Sequence, residues 1–134
     1  MNNKLTLLNQ AFDAWNQHDL QTYSEIYTPD AVIHGLAPVP LDVPTALMGY
    51  EGFFTGFPDI HIEKLDTVSE NGQVAVHFRI TGTHEGTFLG IPATGQKIDV
   101  TGMSILQYKG DLIRERWNIL DRMTMMQQLG AIPA

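Results

Sequence analysis

The chain contains no cysteine, which excludes disulfides, thiolate nucleophiles and thiolate metal sites together. It is also poor in positive charge: 8 Lys and Arg stand against 15 Asp and Glu, for a formal net charge of −7. A field of that sign repels phosphate backbones and anionic lipid, so nucleic-acid and membrane-surface partners are not expected. No stretch approaches the ~18 uninterrupted apolar residues of a membrane span. The opening MNNKLTLLNQAFDAWNQHD lacks the basic start, apolar run and small-residue cleavage site of a secretory leader. A cytoplasmic protein is the expectation. Three catalytic signatures are missing as well. There is no His-x-x-x-His pair to put two metal ligands on one helix face, and no Gly-x-Ser-x-Gly elbow. The glycine-rich stretch 84–95 lacks the Gly-Lys-Ser/Thr of a phosphate loop. Neither metal nor cofactor is expected.

What is present suits one domain over residues 1–134, with 43% hydrophobic and 17% charged residues. Leu5, Leu8, Phe12 and Trp15 recur at helical spacing. Asp19 is placed to cap a second short helix carrying Tyr23, Ile26 and Tyr27, which Pro29 stops. A short strand, 31–34, and a proline-rich link precede a third helical stretch at 45–54. Beyond Pro58 the period falls from about 3.6 to 2, giving strands at 60–68, 73–83, 97–108 and 112–123. Asn71-Gly72 is a hairpin turn, because both residues accept positive φ. One or two helical turns, 125–129, close the chain. Helices first and long strands after is the α+β pattern, with helices gathered over one side of a curved antiparallel sheet. Such a cone encloses a pocket.

The stretches YTPDAVIHG, FPDIHIE, ITGTHEGTFLGIPATGQKI and IRERWNILDRMTMMQQLG resemble the SnoaL-like polyketide cyclase (ester cyclase) family. The resemblance runs in order from Tyr27 to Gly130. It implies a nuclear transport factor 2-like cone, usually assembled as a dimer or higher homo-oligomer. It also implies ring closure of a polyketide ester by intramolecular aldol condensation, with an aspartate acid/base and no metal. Asp121, four residues after Trp117, matches that aspartate. Gln107 stands where characterised members carry a histidine.

The residues themselves single out the same carboxylate. Alternation along the last strand puts Asp121 on one face with Ile113, Glu115, Trp117, Ile119 and Met123. Desolvation there would raise its pKa and fit it to exchange protons near neutrality. A salt bridge to Arg79, Arg116 or Arg122, or a cap on the final helix, is the plainer alternative. A three-residue turn at 109–111 would set Met103 opposite Trp117, with Ile105 and Gln107 on the same pocket-facing side. His34, beside Gly35 at the expected mouth, is placed to hold a carbonyl or relay a proton, or simply to bond backbone at a turn. His84 opens the glycine-rich loop and either orders it or meets substrate. His77 and Arg79 share one face of their strand, and pattern alone leaves open whether it is pocket or outer surface. Inside the pocket, Arg79 would steady an enolate oxygen. His18 and His61 are expected in solvent. Phe53 and Phe57 are core and pocket wall. Two functions fit: acid/base chemistry on an apolar, carbonyl-bearing small molecule, or binding of a lipophilic ligand without turnover. Isomerase or epoxide-hydrolase chemistry recurs on the same fold.

Overall fold

Leu8, Ala11, Phe12 and Trp15 are buried at spacings of three, one and three, and they form the inward stripe of α1 (Asn3–Asn16) in a computed structural model of the chain. The structure describes residues 3–133. Asn16 docks the end of α1 on the sheet: its amide donates to the Ile62 carbonyl (2.9 Å) and accepts from the Ile62 N–H (2.7 Å). Asp19 caps α2 (Leu20–Ser24) by accepting from the Thr22 N–H. After β1 (Tyr27–His34), Asp42 caps α3 (Val43–Gly56) in the same way, with Pro44 in the first turn, where no N–H is needed. The helix therefore starts two residues earlier than the sequence pattern suggests.

Four strands follow: β2 (His61–Glu70), β3 (Gln73–Thr83), β4 (Lys97–Lys109) and β5 (Leu112–Leu120), and the chain closes on α4 (Arg122–Leu129). The sheet order is β1-β5-β4-β3-β2. Neighbours are antiparallel except at one edge, where β1 runs parallel to β5. The α+β cone is as expected, but the sheet is mixed. Asn71 (φ 51°) and Gly72 (φ 74°) make the β2–β3 turn with the positive φ values their identities allow. No helix among the described residues is long and apolar enough to cross a membrane.

The decisive local feature is in β5. Tyr108 pairs with Ile113 but Gln107 pairs with Glu115, so Arg114 is an extra, bulged residue. The turn into β5 is correspondingly tight, with Lys109 opposite Leu112. Because side chains alternate with period 2, one inserted residue sends every later side chain to the opposite face. Ile113 points into the core, but so do Arg116 (4% exposed) and the half-buried Asn118 and Leu120. Trp117 and Ile119 face outward. Val74, Val76, Phe78 and Ile80 of β3 complete the inner face beneath the helices.

Candidate active site

A cavity opens between the helices and the inner face, with an empty volume of ≈ 640 Å³ counted out through its mouth. Its walls are apolar: Phe12 and Trp15 of α1, Phe53 of α3, and Phe78 and Ile80 of β3 among them. Gly35, Leu36, Leu120 and Arg122 line it where the β1–α3 connection leaves the sheet. Arg122 reaches back to this connection, donating from Nη2 to the carbonyl oxygens of Gly35 (3.1 Å) and Leu36 (3.4 Å).

The polar end of the cavity is built on Arg116. Its guanidinium donates to Asn118 Oδ1 (2.7 Å), Tyr23 Oη (2.9 Å), Tyr27 Oη (3.1 Å) and Ser104 Oγ (3.1 Å). All four partners are uncharged. Asn118 is fixed in turn by Ser104 Oγ, which donates to its Oδ1 at 2.6 Å, and by the His34 carbonyl, which accepts from its Nδ2 at 3.0 Å. The phenols continue as a chain. Tyr23 and Tyr27 hydroxyls are 2.8 Å apart, and Tyr23 donates to Tyr50 Oη at 3.4 Å. Tyr50, which accepts from Tyr23, lies at the α3 end of this chain and lines the cavity.

Burial dominates the electrostatics of the phenols. It pushes Tyr50 up to about 12, with Tyr27 adding to the effect and Arg116 opposing it. Tyr23 is raised well above its ordinary value, again by burial first, with Arg116 pulling the other way. Both are therefore neutral donors at pH 7. Burial also works against the charge on Arg116, but the surrounding tyrosine oxygens outweigh it and hold its pKa above the ordinary arginine value. A raised tyrosine pKa stabilises the fold fully below the unfolded value of 10.0, and that contribution is lost as pH rises toward the folded value. Stability should thus fall with rising pH above about pH 10, by roughly 1 kcal/mol per pH unit through Tyr50 up to about pH 12, with Tyr23 acting in the same direction. Urea titrations at about pH 9 and 11 measure this, and Tyr50→Phe should flatten the slope.

The structure redistributes most of the residues singled out in the sequence. Asp121 is not a strand residue in the cavity. It is exposed and caps α4, accepting from Thr124 N (3.1 Å) and Thr124 Oγ1 (2.7 Å). Those hydrogen bonds hold its carboxyl below the ordinary aspartate value, the opposite of the upward shift expected. The strand ends at Leu120 because Asp-x-x-Thr starts a helix there. Trp117, Met103 and Ile105 are on the outer face, and Trp117 lies opposite Ile105 rather than Met103. The β5 bulge and the tight turn together cause this. Gln107 is also outside, at the far hairpin end, bonded to Gln73 (3.0 Å). His34 lies outside too: its Nε2 is 2.6 Å from Glu115 Oε2, and its ring stacks on Trp117 at 5.4 Å. Arg79 is outward as well, in a two-pronged ion pair with Asp99 (2.7 and 2.6 Å), while His77 faces Asp66.

His84 is fully buried and orders its loop. Thr94 N donates to its Nδ1 (3.2 Å), and Thr94 Oγ1 lies 2.9 Å from the same nitrogen. That leaves the proton on Nε2, which has no partner in its buried setting beside Phe57. Phe57 is core, packed on His84 and Phe88, and Phe53 alone of the expected aromatic pair lines the cavity. His18 is exposed but stacks on Phe54 at 4.0 Å, and His61 is in solvent. Among the described residues no three His, Asp or Glu side chains gather as a metal site.

A family model for SnoaL-like polyketide cyclases matches residues 6–129. The chain belongs to the SnoaL-like polyketide cyclase family. Solved structures of similar shape carry more than one candidate activity in their names. IdmH of Streptomyces antibioticus, a candidate polyketide cyclase, is 30% identical with a TM-score of 0.84, over 95% of this chain and 98% of that one. AclR of Streptomyces galilaeus, a candidate hydroxylase, is 25% identical with a TM-score of 0.89, over 98% of this chain and 83% of that one. TsrD of Streptomyces laurentii shares the fold at 21% identity and a TM-score of 0.87, over 97% and 96% of the two chains. Among curated proteins none matches. Membership of this family carries the shape of the SnoaL-like scaffold, not a particular reaction.

Proposed function

We propose that this SnoaL-like protein acts on an apolar, carbonyl-bearing small molecule held in the inner cavity. The chemistry is that of an enolate, as in intramolecular aldol ring closure. One observation carries the reading: an apolar cavity ends on a neutral phenol donor, Tyr50, backed by the buried cation Arg116. A carbonyl oxygen accepting from Tyr50 gains most as it becomes an enolate oxygen, because preorganised donors in a site of low dielectric act where charge develops. Among the described residues no carboxylate or imidazole lines the cavity, so the α-proton passes to water at the mouth. The role first assigned to Asp121 requires its carboxylate to leave Thr124 and turn inward.

Proton exchange separates these assignments. The α-hydrogens of 2-tetralone, an apolar bicyclic ketone, can be followed by NMR in D2O. The protein should accelerate their exchange, and Tyr50→Phe should lower the acceleration at least ~10-fold, the range of a single oxyanion donor or proton-transfer group. Asp121→Asn retains a capping side chain and should exchange as fast as wild type. The reverse pattern would return the role to Asp121. Saturable binding of the ketone without exchange would favour a ligand-binding protein, a reading supported by the same lack of a base in the cavity.

The apolar outer face extends the reading to assembly. Met103 is 61% and Ile119 77% exposed, and they adjoin Ile105, Trp117 and Val68 in one shallow groove. Contiguous apolar surface of this kind marks an interaction site, and a second copy of the chain is the occupant in this reading. Light scattering at micromolar concentration should give a dimer or larger species, which Ile119→Asp should dissociate. A monomeric wild type would contradict it.

A further inference from the structure

The charge balance of the cavity is the reverse of the charge balance of the chain. Acids outnumber bases 15 to 8 overall, yet among the described residues two arginines and no acid line the cavity, Arg116 at its polar end and Arg122 at its rim. The ion pairs found among the described residues, His34–Glu115, His77–Asp66 and Arg79–Asp99, all belong to the outer face. Arg116 is buried with tyrosine, serine and asparagine oxygens as its partners, and none of these carries a compensating charge. A buried cation without a counter-ion is costly, and buried charges are ordinarily paired. Four of the five guanidinium N–H bonds are taken up by these partners, which leaves one on Nη2.

We propose that the missing counter-ion is supplied by the ligand, and that the cavity takes an apolar carboxylate. The inference rests on the inner cavity being the ligand site, and it names the class of molecule that the site prefers. A carboxylate suits better than a phenol or an enol, because it arrives ionised at neutral pH. The carboxylate takes the remaining Arg116 N–H, a charge-assisted bond. The Tyr50 hydroxyl is left for the carbonyl of the same molecule. Arg122, donating only to backbone carbonyls at the rim, raises the local concentration of anions around an otherwise anionic protein.

The test compares 2-naphthoate with 2-naphthamide, nearly the same shape without the charge, by calorimetric titration of the full chain at neutral pH. Naphthoate should bind at least ~10-fold more tightly, in line with a hydrogen bond to a charged group. Arg122→Gln leaves the core intact and should weaken naphthoate several-fold more than it weakens naphthamide. Leu120→Trp, which fills the cavity from β5, should abolish binding of both. Equal affinities, or tighter binding of the amide, would overturn the carboxylate inference and leave the cavity as a neutral-ligand site. Binding of neither molecule, or naphthoate binding that survives Leu120→Trp, would remove the inner cavity as the site and the inference with it.

Discussion

Replacing Arg116 by methionine should lower the stability of the fold by about 1–3 kcal/mol or more, the cost of leaving buried acceptors without their donor, offset in part by the loss of an unpaired buried charge. Methionine fills much of the space but donates nothing. Tyr23, Tyr27, Ser104 and Asn118 would all lose the donor that orients them, and hydrogen bonds to a charged group contribute about 1.5–3 kcal/mol each. Domains of this kind have only about 5–15 kcal/mol in total. Arg116→Lys should do little better. An ammonium has three donors around one point, whereas the guanidinium reaches four oxygens from a flat fork. The urea midpoint reads the effect directly. A midpoint close to wild type in either variant would mean that the phenols hold their places without the arginine.

A comparable loss, about 3 kcal/mol or more, is expected from Gly35→Ala. Gly35 has φ +93°, and a Cβ built on it would stand 2.0 Å from the backbone oxygen of Asn118. Neither atom belongs to a flexible side chain, so β1 and β5 would have to separate. Because Gly35 and Asn118 both line the cavity, the variant should also weaken any ligand held there. Gly49→Ala is the opposite case. A Cβ there meets nothing within 4 Å, and it should stabilise α3 by roughly 0.5–1 kcal/mol through helix propensity alone. Thermal or urea unfolding of the pair checks both signs. Equal stability of the two variants would contradict the tight β1–β5 approach.

The architecture was legible because hydrophobic period reports burial directly. The switch from helical spacing before Pro58 to alternation after it places α1, α3 and all four long strands, and Asn71-Gly72 fixes the β2–β3 turn. The site was less legible, for one geometric reason. Alternation read from Ile113 sends Glu115 and Trp117 inward, and a single bulged residue, Arg114, reverses that for the rest of β5. Nothing in the sequence of Leu112–Leu120 announces the bulge, since Arg114 is an ordinary exposed residue. The same slip carried Met103, Ile105 and Gln107 to the wrong side and hid Arg116 as a mere partner for Asp121. Asp121 itself was ambiguous between a strand position and a helix cap, and Thr124 three residues on was the signal that favoured the cap. Tyr23 and Tyr27 read from spacing as residues of one helix, whereas Tyr27 opens β1 and Tyr50 comes from α3. Their hydroxyl chain is visible only once three separate elements meet at Arg116.

Intermolecular NOE contacts from bound 2-naphthoate test the inner cavity against the groove on the outer sheet face. Its ring protons should show contacts to Phe53, Tyr50 and Ile80 on the inner walls. Contacts instead to Met103, Ile105 and Trp117 would place the ligand on the outer sheet and contradict the inner cavity as the functional site.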